Sequence, residues 1–129
     1  MIFVYKNLSQ GTLSSMFQKI APILPALNIA KTNLFYRDKL KFNTINYGNY
    51  LVVQKENIEI HFSEQPDPKL FNKQSCYIFV QNIEDLFVYF SSLEVVSLTE
   101  KLQERFPNMK EFSIVDNNGN VLRFGERRG

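Results

Sequence analysis

The residues best equipped for chemistry sit on short alternating segments. In Ile58-Glu-Ile-His-Phe62, apolar and polar side chains alternate, which predicts a strand with Glu59 and His61 together on one face. A carboxylate and an imidazole so placed suggest either metal ligation or the lining of a polar pocket. The competing reading of His61 is a strand residue satisfied by a neighbour. The chain has one histidine and one cysteine, Cys76. No Cys-His or Ser-His-Asp set is therefore legible, and no catalytic residue is assigned. In Ser75-Cys-Tyr-Ile-Phe-Val80 the same alternation turns Cys76, Ile78 and Val80 inward and leaves Ser75, Tyr77 and Phe79 on the open side. Cys76 should then be buried and unreactive. Val121 and Arg123 join the open side from a later segment.

The elements that must position these residues can be read along the chain. Residues 1–17 read as an N-terminal extension, with an extra strand at Ile2–Tyr5 as the other reading, and 18–129 as one domain. Pro22 and Pro25 restrict Lys19–Ala26 to an edge or exchanged strand. Asn28 reads as the N-cap of a helix over 29–40. Strands follow at Phe42–Tyr47, Tyr50–Gln54 and Ile58–Phe62, the first two joined by Gly48-Asn49. Glu64–Gln74, with Pro66 and Pro68, is a linker. Cys76–Val80 is a strand. Asn82 is expected to cap a helix over 83–93, with Asp85 in the capping-box position. A short strand at Val95–Leu98 precedes an irregular stretch, Thr99–Asn108, with room for one helical turn. Lys110–Val115 and Val121–Phe124 are strands joined by Asp116-Asn-Asn-Gly-Asn120, the strongest turn signal present. Arg127 and Arg128 read as a frayed tail.

The order is strand, helix, three strands, then the same again, in modules of about 18–65 and 74–126. Asn28-Ile29 and Phe35-Tyr36 recur 54 positions later as Asn82-Ile83 and Tyr89-Phe90. The expected fold class is α+β: paired βαβββ modules forming a curved sheet around a cleft, with helices outside.

Composition bounds the function. The 129 residues are 44% hydrophobic and 22% charged, which suits a folded domain. A net charge of +2 without a basic stripe argues against nucleic acid as partner. No apolar run is long enough for a membrane helix, and the N-terminus does not read as a signal peptide. With a single cysteine, the cytoplasm is the expected compartment. The chain has 12 Phe, 6 Tyr and no Trp, so ring stacking must use Phe and Tyr.

The stretch Leu34-Phe-Tyr-Arg-Asp-Lys-Leu-Lys-Phe42 after the Asn28 cap, with the hairpin Glu111-Phe-Ser-Ile-Val-Asp116-Asn-Asn-Gly119-Asn120, resembles the glyoxalase / bleomycin resistance / extradiol dioxygenase (vicinal oxygen chelate) superfamily. Asn28 replaces its usual acidic cap, Lys41 its glycine and Asn117 its proline. The resemblance implies paired βαβββ modules and a homodimer, commonly with exchange of the first strand. It also implies four metal-ligand positions, which counting from the motifs places at Ala21, Glu59, Ser75 and Arg123. One carboxylate beside a guanidinium does not hold zinc or nickel. No metal and no cofactor are expected.

Within the superfamily, Leu24-Pro25, Ile58-Glu-Ile-His-Phe62 and Leu122-Arg-Phe-Gly-Glu126 most resemble the bleomycin resistance branch. That implies a metal-free protein, more a binder than an enzyme, sequestering a glycopeptide antibiotic or similar small molecule in a dimer groove. Glu59, His61, Ser75, Tyr77, Phe79 and Arg123 are the expected ligand-binding residues. The alternatives are a glyoxalase-like lyase, isomerase or dioxygenase with an atypical metal site, and an interaction module that takes a peptide. Glu59 and Arg123, in matching positions of the two modules, are expected to pair directly or across the dimer groove and so occupy the vacated metal site.

Overall fold

The structure is a computed structural model describing residues 16–93, 97–105 and 107–129, with the side chains of 97–100 outside the description. The proposed extension, residues 1–17, lies almost wholly outside the described residues.

The first module runs β1 (Ile23–Ala26), α1 (Ile29–Leu34) continued by a π-helical turn (Phe35–Lys39), β2 (Asn43–Asn46), β3 (Tyr50–Lys55) and β4 (Ile58–Glu64). The second runs β5 (Ser75–Phe79), α2 (Ile83–Ser91), β6 (Ser97–Arg105), β7 (Met109–Val115) and β8 (Val121–Arg127). Each module forms a four-stranded mixed sheet, ordered β1-β4-β3-β2 and β5-β8-β7-β6, with β1 and β5 as parallel edge strands. The expected α+β class with paired βαβββ modules is borne out, as two open sheets. Pro22 and Pro25 fall at the β1 edge, where a missing N–H is tolerated.

Several local expectations need correction. The helix over 29–40 is α-helical only to Leu34, and the aromatic Phe35-Tyr36 pair opens a π-turn. That turn buries Tyr36 completely among Phe35, Phe42 and Phe62. The stretch read as a short strand followed by irregular chain is one nine-residue strand, Ser97–Arg105, paired with β7 through two register shifts. Those irregularities break the period-2 signal, which is why the sequence looked structureless.

Asn28 caps α1 as expected, its Oδ1 accepting from Lys31 N at 2.9 Å. Asn82 does not cap α2 in this way. It is left-handed (φ 55°), and its side chain makes no capping bond. Glu126 caps instead, accepting from the N–H groups of Asn82 and Ile83 at 3.2 and 3.1 Å. Glu64 serves α1 in the same manner, accepting from Ile29 N at 3.1 Å.

The core is continuous between the helices and one face of each sheet. Leu51, Val53, Ile60 and Phe62 point inward from the first sheet, and Ile78, Phe112, Ile114, Leu122 and Phe124 from the second. A polar junction fastens the modules. The Tyr36 hydroxyl donates to Asp116 at 2.7 Å. The Asn120 amide donates to Pro25 O and accepts from Gln74 N, both at 2.9 Å. Asn118 accepts from Leu27 N and donates to Thr32. The Asp116–Asn120 turn therefore locks the second module onto the β1–α1 corner of the first. Burial pushes the Asp116 carboxyl upward, against the hydrogen bonds from Tyr36, Asn118 and Asn120 that favour its charged form.

Candidate functional site

Alternation that buries one face of each sheet leaves a second, open face. On the first sheet this face carries Tyr50, Gln54, Glu59 and His61, tied into one chain of hydrogen bonds. Tyr50 Oη lies 2.7 Å from His61 Nδ1, and His61 Nε2 lies 2.5 Å from Glu59 Oε2. Gln54 and Lys19 donate to Glu59 Oε1 at 2.9 and 2.7 Å. Lys19 first, then His61 and Gln54, pull the Glu59 carboxyl down to about 2. It is a fixed anion, and its oxygens can only accept. His61 thus bridges the two groups, with Nε2 beside the Glu59 carboxylate and Nδ1 beside the Tyr50 hydroxyl.

On the second sheet the open face carries Ser75, Tyr77, Phe79, Glu111, Ser113, Arg123, Gly125 and Arg127. Tyr77 and Phe79 are exposed and their rings stand 5.1 Å apart. The Tyr77 hydroxyl donates to Glu111 Oε2 at 2.5 Å. Arg105 and Arg123 approach the other Glu111 oxygen at 3.6 and 3.7 Å. Burial, then Glu111, pushes the Tyr77 phenol up to about 12. Arg127 lies 5.8 Å from the Phe79 ring centre, a cation–π contact. Ser113 Oγ is buried without a hydrogen-bond partner among the described residues.

The six expected site residues all lie on these open faces. Glu59 and His61 are brought together. Tyr77, Phe79 and Arg123 gather around Glu111, and Ser75 is exposed at the start of the same strand. Within one chain the expected Glu59–Arg123 pairing does not form. Glu59 is held by Lys19, His61 and Gln54, whereas Arg123 approaches Glu111.

The two were not matching positions either. His61 stands opposite Ile23 in the β1–β4 ladder, and Arg123 stands opposite Tyr77 in the β5–β8 ladder. Ile23 and Tyr77 are related by the 54-residue repeat, so His61 is the counterpart of Arg123. The count through the linker was long by one strand period. The tail reading of Arg127 and Arg128 also fails. Arg127 ends β8, and Arg128 bonds through its backbone to Asn108 and through its side chain to Glu84.

Sequence reasoning missed Tyr50, Gln54, Glu111 and Ser113, although alternation against Leu51-Val53 and Phe112-Ile114 carried the signal. Nothing in the sequence pointed to Lys19, which lies 40 residues from Glu59. Cys76 is half-buried, and burial raises its thiol to about 11. Among the described residues no group of three or more His, Cys, Asp or Glu side chains converges in metal-binding geometry. An open depression of about 400 Å³ at the β1 edge, beside Leu24, Leu70 and Asn72, lies apart from both clusters. Its one carboxylate, Glu64, is engaged in capping α1.

No protein-family model matches the chain. Bleomycin resistance proteins of Geobacillus stearothermophilus and Staphylococcus aureus are 24% identical over 127 residues, covering 84% of this chain and 96% of theirs. Among solved structures, the bleomycin-binding protein of bleomycin-producing Streptomyces verticillus, complexed with copper(II)-bleomycin, superposes with a TM-score of 0.73. It is 21% identical and covers 88% of this chain and 97% of its own. A glyoxalase-related enzyme from Clostridium phytofermentans superposes at 0.72 with 16% identity, covering 86% of this chain and 95% of its own. The resemblance to the vicinal oxygen chelate superfamily, near its bleomycin resistance branch, is borne out by these relatives. None of the helices described is long and apolar enough to cross a membrane.

Proposed function

From that kinship, we propose that the chain is a metal-free cytoplasmic binding protein that sequesters a small molecule, a glycopeptide antibiotic or a compound of similar build. The observation that carries this reading is the Tyr77–Phe79 ring pair, exposed on the open face of β5 and backed by Glu111, Arg123 and Arg127. Exposed rings favour stacking with a flat ligand, and the charged groups behind them fix its orientation.

The four positions counted from the superfamily pattern, Ala21, Glu59, Ser75 and Arg123, supply one carboxylate. Replacing Arg123 by Val121, the register counterpart of Glu59, adds no donor. Such a set suits binding better than Lewis-acid chemistry. We place the ligand in a groove completed by a second copy. Ile23, 61% exposed at the β1 edge, supports that arrangement as an apolar surface wanting cover.

Titration of the purified protein with copper-free and copper-loaded bleomycin tests the sequestering reading, and saturable binding is expected. The competing reading, a glyoxalase-like lyase or dioxygenase with an atypical metal site, is favoured by the glyoxalase-related structural neighbour. Metal analysis separates the two, with stoichiometric metal in the purified protein supporting the enzyme.

A further inference from the structure

We propose that the space over Gly125, on the open face of the second sheet, is a ligand slot that Tyr77 plugs. A flat ring bearing a neutral hydrogen-bond donor enters as the Tyr77 ring swings out, and takes over its bond to Glu111. The slot rests on the preceding reading only in taking this face as the ligand-facing wall.

Strand register builds the slot. Tyr77 stands on edge strand β5 opposite Arg123, Gly125 follows two residues along β8, and Glu111 stands opposite Gly125 on β7. Gly125 carries no side chain, and Tyr77 Oη and Cζ fill the place where a Cβ there would stand. The ring thus bridges from β5 across β8, and its hydroxyl donates to Glu111 Oε2 at 2.5 Å. The seat is filled by the far end of a side chain rooted on an edge strand, and Tyr77 remains 40% exposed. Rotation about its own side-chain bonds empties the seat without displacing a strand.

Tyr77 does not complete the site. Ser113 shares the face of β7 with Glu111 and stands opposite Arg123, and its hydroxyl is buried with no hydrogen-bond partner. A buried hydroxyl left unpaired is destabilising, and a ligand that reaches it supplies the bond that the Tyr77 ring does not. Charge selects among rings. Glu111 disfavours an anion, while Arg105 and Arg123, 3.6 and 3.7 Å from its other oxygen, disfavour a cation. A neutral phenol or amide edge meets neither penalty.

p-Cresol, the tyrosine side chain as a free molecule, is the first probe, and toluene is the same ring without the donor. Binding to the full-length protein is read by proton–nitrogen NMR at the Gly125 amide. Wild type should bind p-cresol saturably in the millimolar range, with toluene about tenfold weaker, the worth of the bond to Glu111. Tyr77→Val, which suits a strand, should bind p-cresol about tenfold or more tightly than wild type, because no resident ring must leave first. Adding Gly125→Ala to Tyr77→Val should abolish binding by filling the floor of the slot. 4-Methylbenzamide should bind Tyr77→Val more tightly than p-cresol does, and Ser113→Ala should remove that margin.

No saturable binding of p-cresol to wild type, equal affinity in wild type and Tyr77→Val, or indifference to Gly125→Ala would overturn the proposal. So would toluene binding as well as p-cresol, or an amide margin that survives Ser113→Ala. No probe here is bleomycin, so a failed bleomycin titration would count against the preceding function alone.

Discussion

The ring of Tyr77 occupies the space that a side chain at position 125 would need. A Cβ built on Gly125 would fall 1.9 Å from the Tyr77 hydroxyl and 2.6 Å from its Cζ. Absence of a side chain on β8 is thus what lets Tyr77 lie flat across the neighbouring strand and reach Glu111.

Gly125→Ala should therefore expel Tyr77 from this seat. The ring is 40% exposed and can swing outward, so the fold should survive with a modest loss of stability, on the order of 1 kcal/mol. The displaced phenol should titrate well below about 12, because it leaves both its burial and its carboxylate partner. Ultraviolet titration of the chain's tyrosines checks this, with Tyr77→Phe identifying the transition. An unchanged titration would mean that the ring does not sit across Gly125.

Asn120 is fully buried and satisfies groups on both modules, Pro25 O on one side and Gln74 N on the other. Asn120→Ala should cost about 1–3 kcal/mol per group left unsatisfied in the interior. Urea unfolding measures the loss. Because the modules share one core, the transition should stay single while its midpoint falls. Two separated transitions would show that the junction does not couple the modules.

Stability at acid pH should depend on Glu84. Lys110, then Arg128, hold this carboxyl down to about 2, against an unfolded value of 4.5. A depressed carboxyl contributes stability above the unfolded value and loses it as pH falls toward the folded one. Wild type should thus melt above Glu84→Gln at neutral pH, with the two converging as the pH falls from about 4.5 to about 2. The pair is half-exposed, so the difference should also shrink in high salt. Parallel melting curves at every pH would contradict the assignment.

What was legible in the sequence follows from how local each signal is. Period-2 alternation placed Glu59 with His61 and Tyr77 with Phe79, because strand faces depend only on neighbours two residues away. Asn28 was readable as a cap for the same reason. The caps made by Glu64 and Glu126 were not, since each carboxylate lies at least 35 residues from the N–H groups it serves. Strand register is equally non-local. Matching Glu59 to Arg123 required counting through the linker, and a slip of one strand period exchanged His61 for Glu59. The β6 strand was hidden because its register shifts interrupt the pattern that marks a strand.

Ligand binding under the proposed function takes place on the open face of the second sheet, by stacking on Tyr77 and Phe79. Its most direct measurement is isothermal calorimetry of copper-free and copper-loaded bleomycin into wild type and Phe79→Ala. Phe79 is 64% exposed, so its removal should leave the fold's stability almost unchanged. Saturable binding to wild type is expected, with a loss of about tenfold or more in Phe79→Ala, the worth of one stacked ring. No heat of binding to wild type at protein concentrations of tens of micromolar, or equal affinity in both proteins, would contradict it.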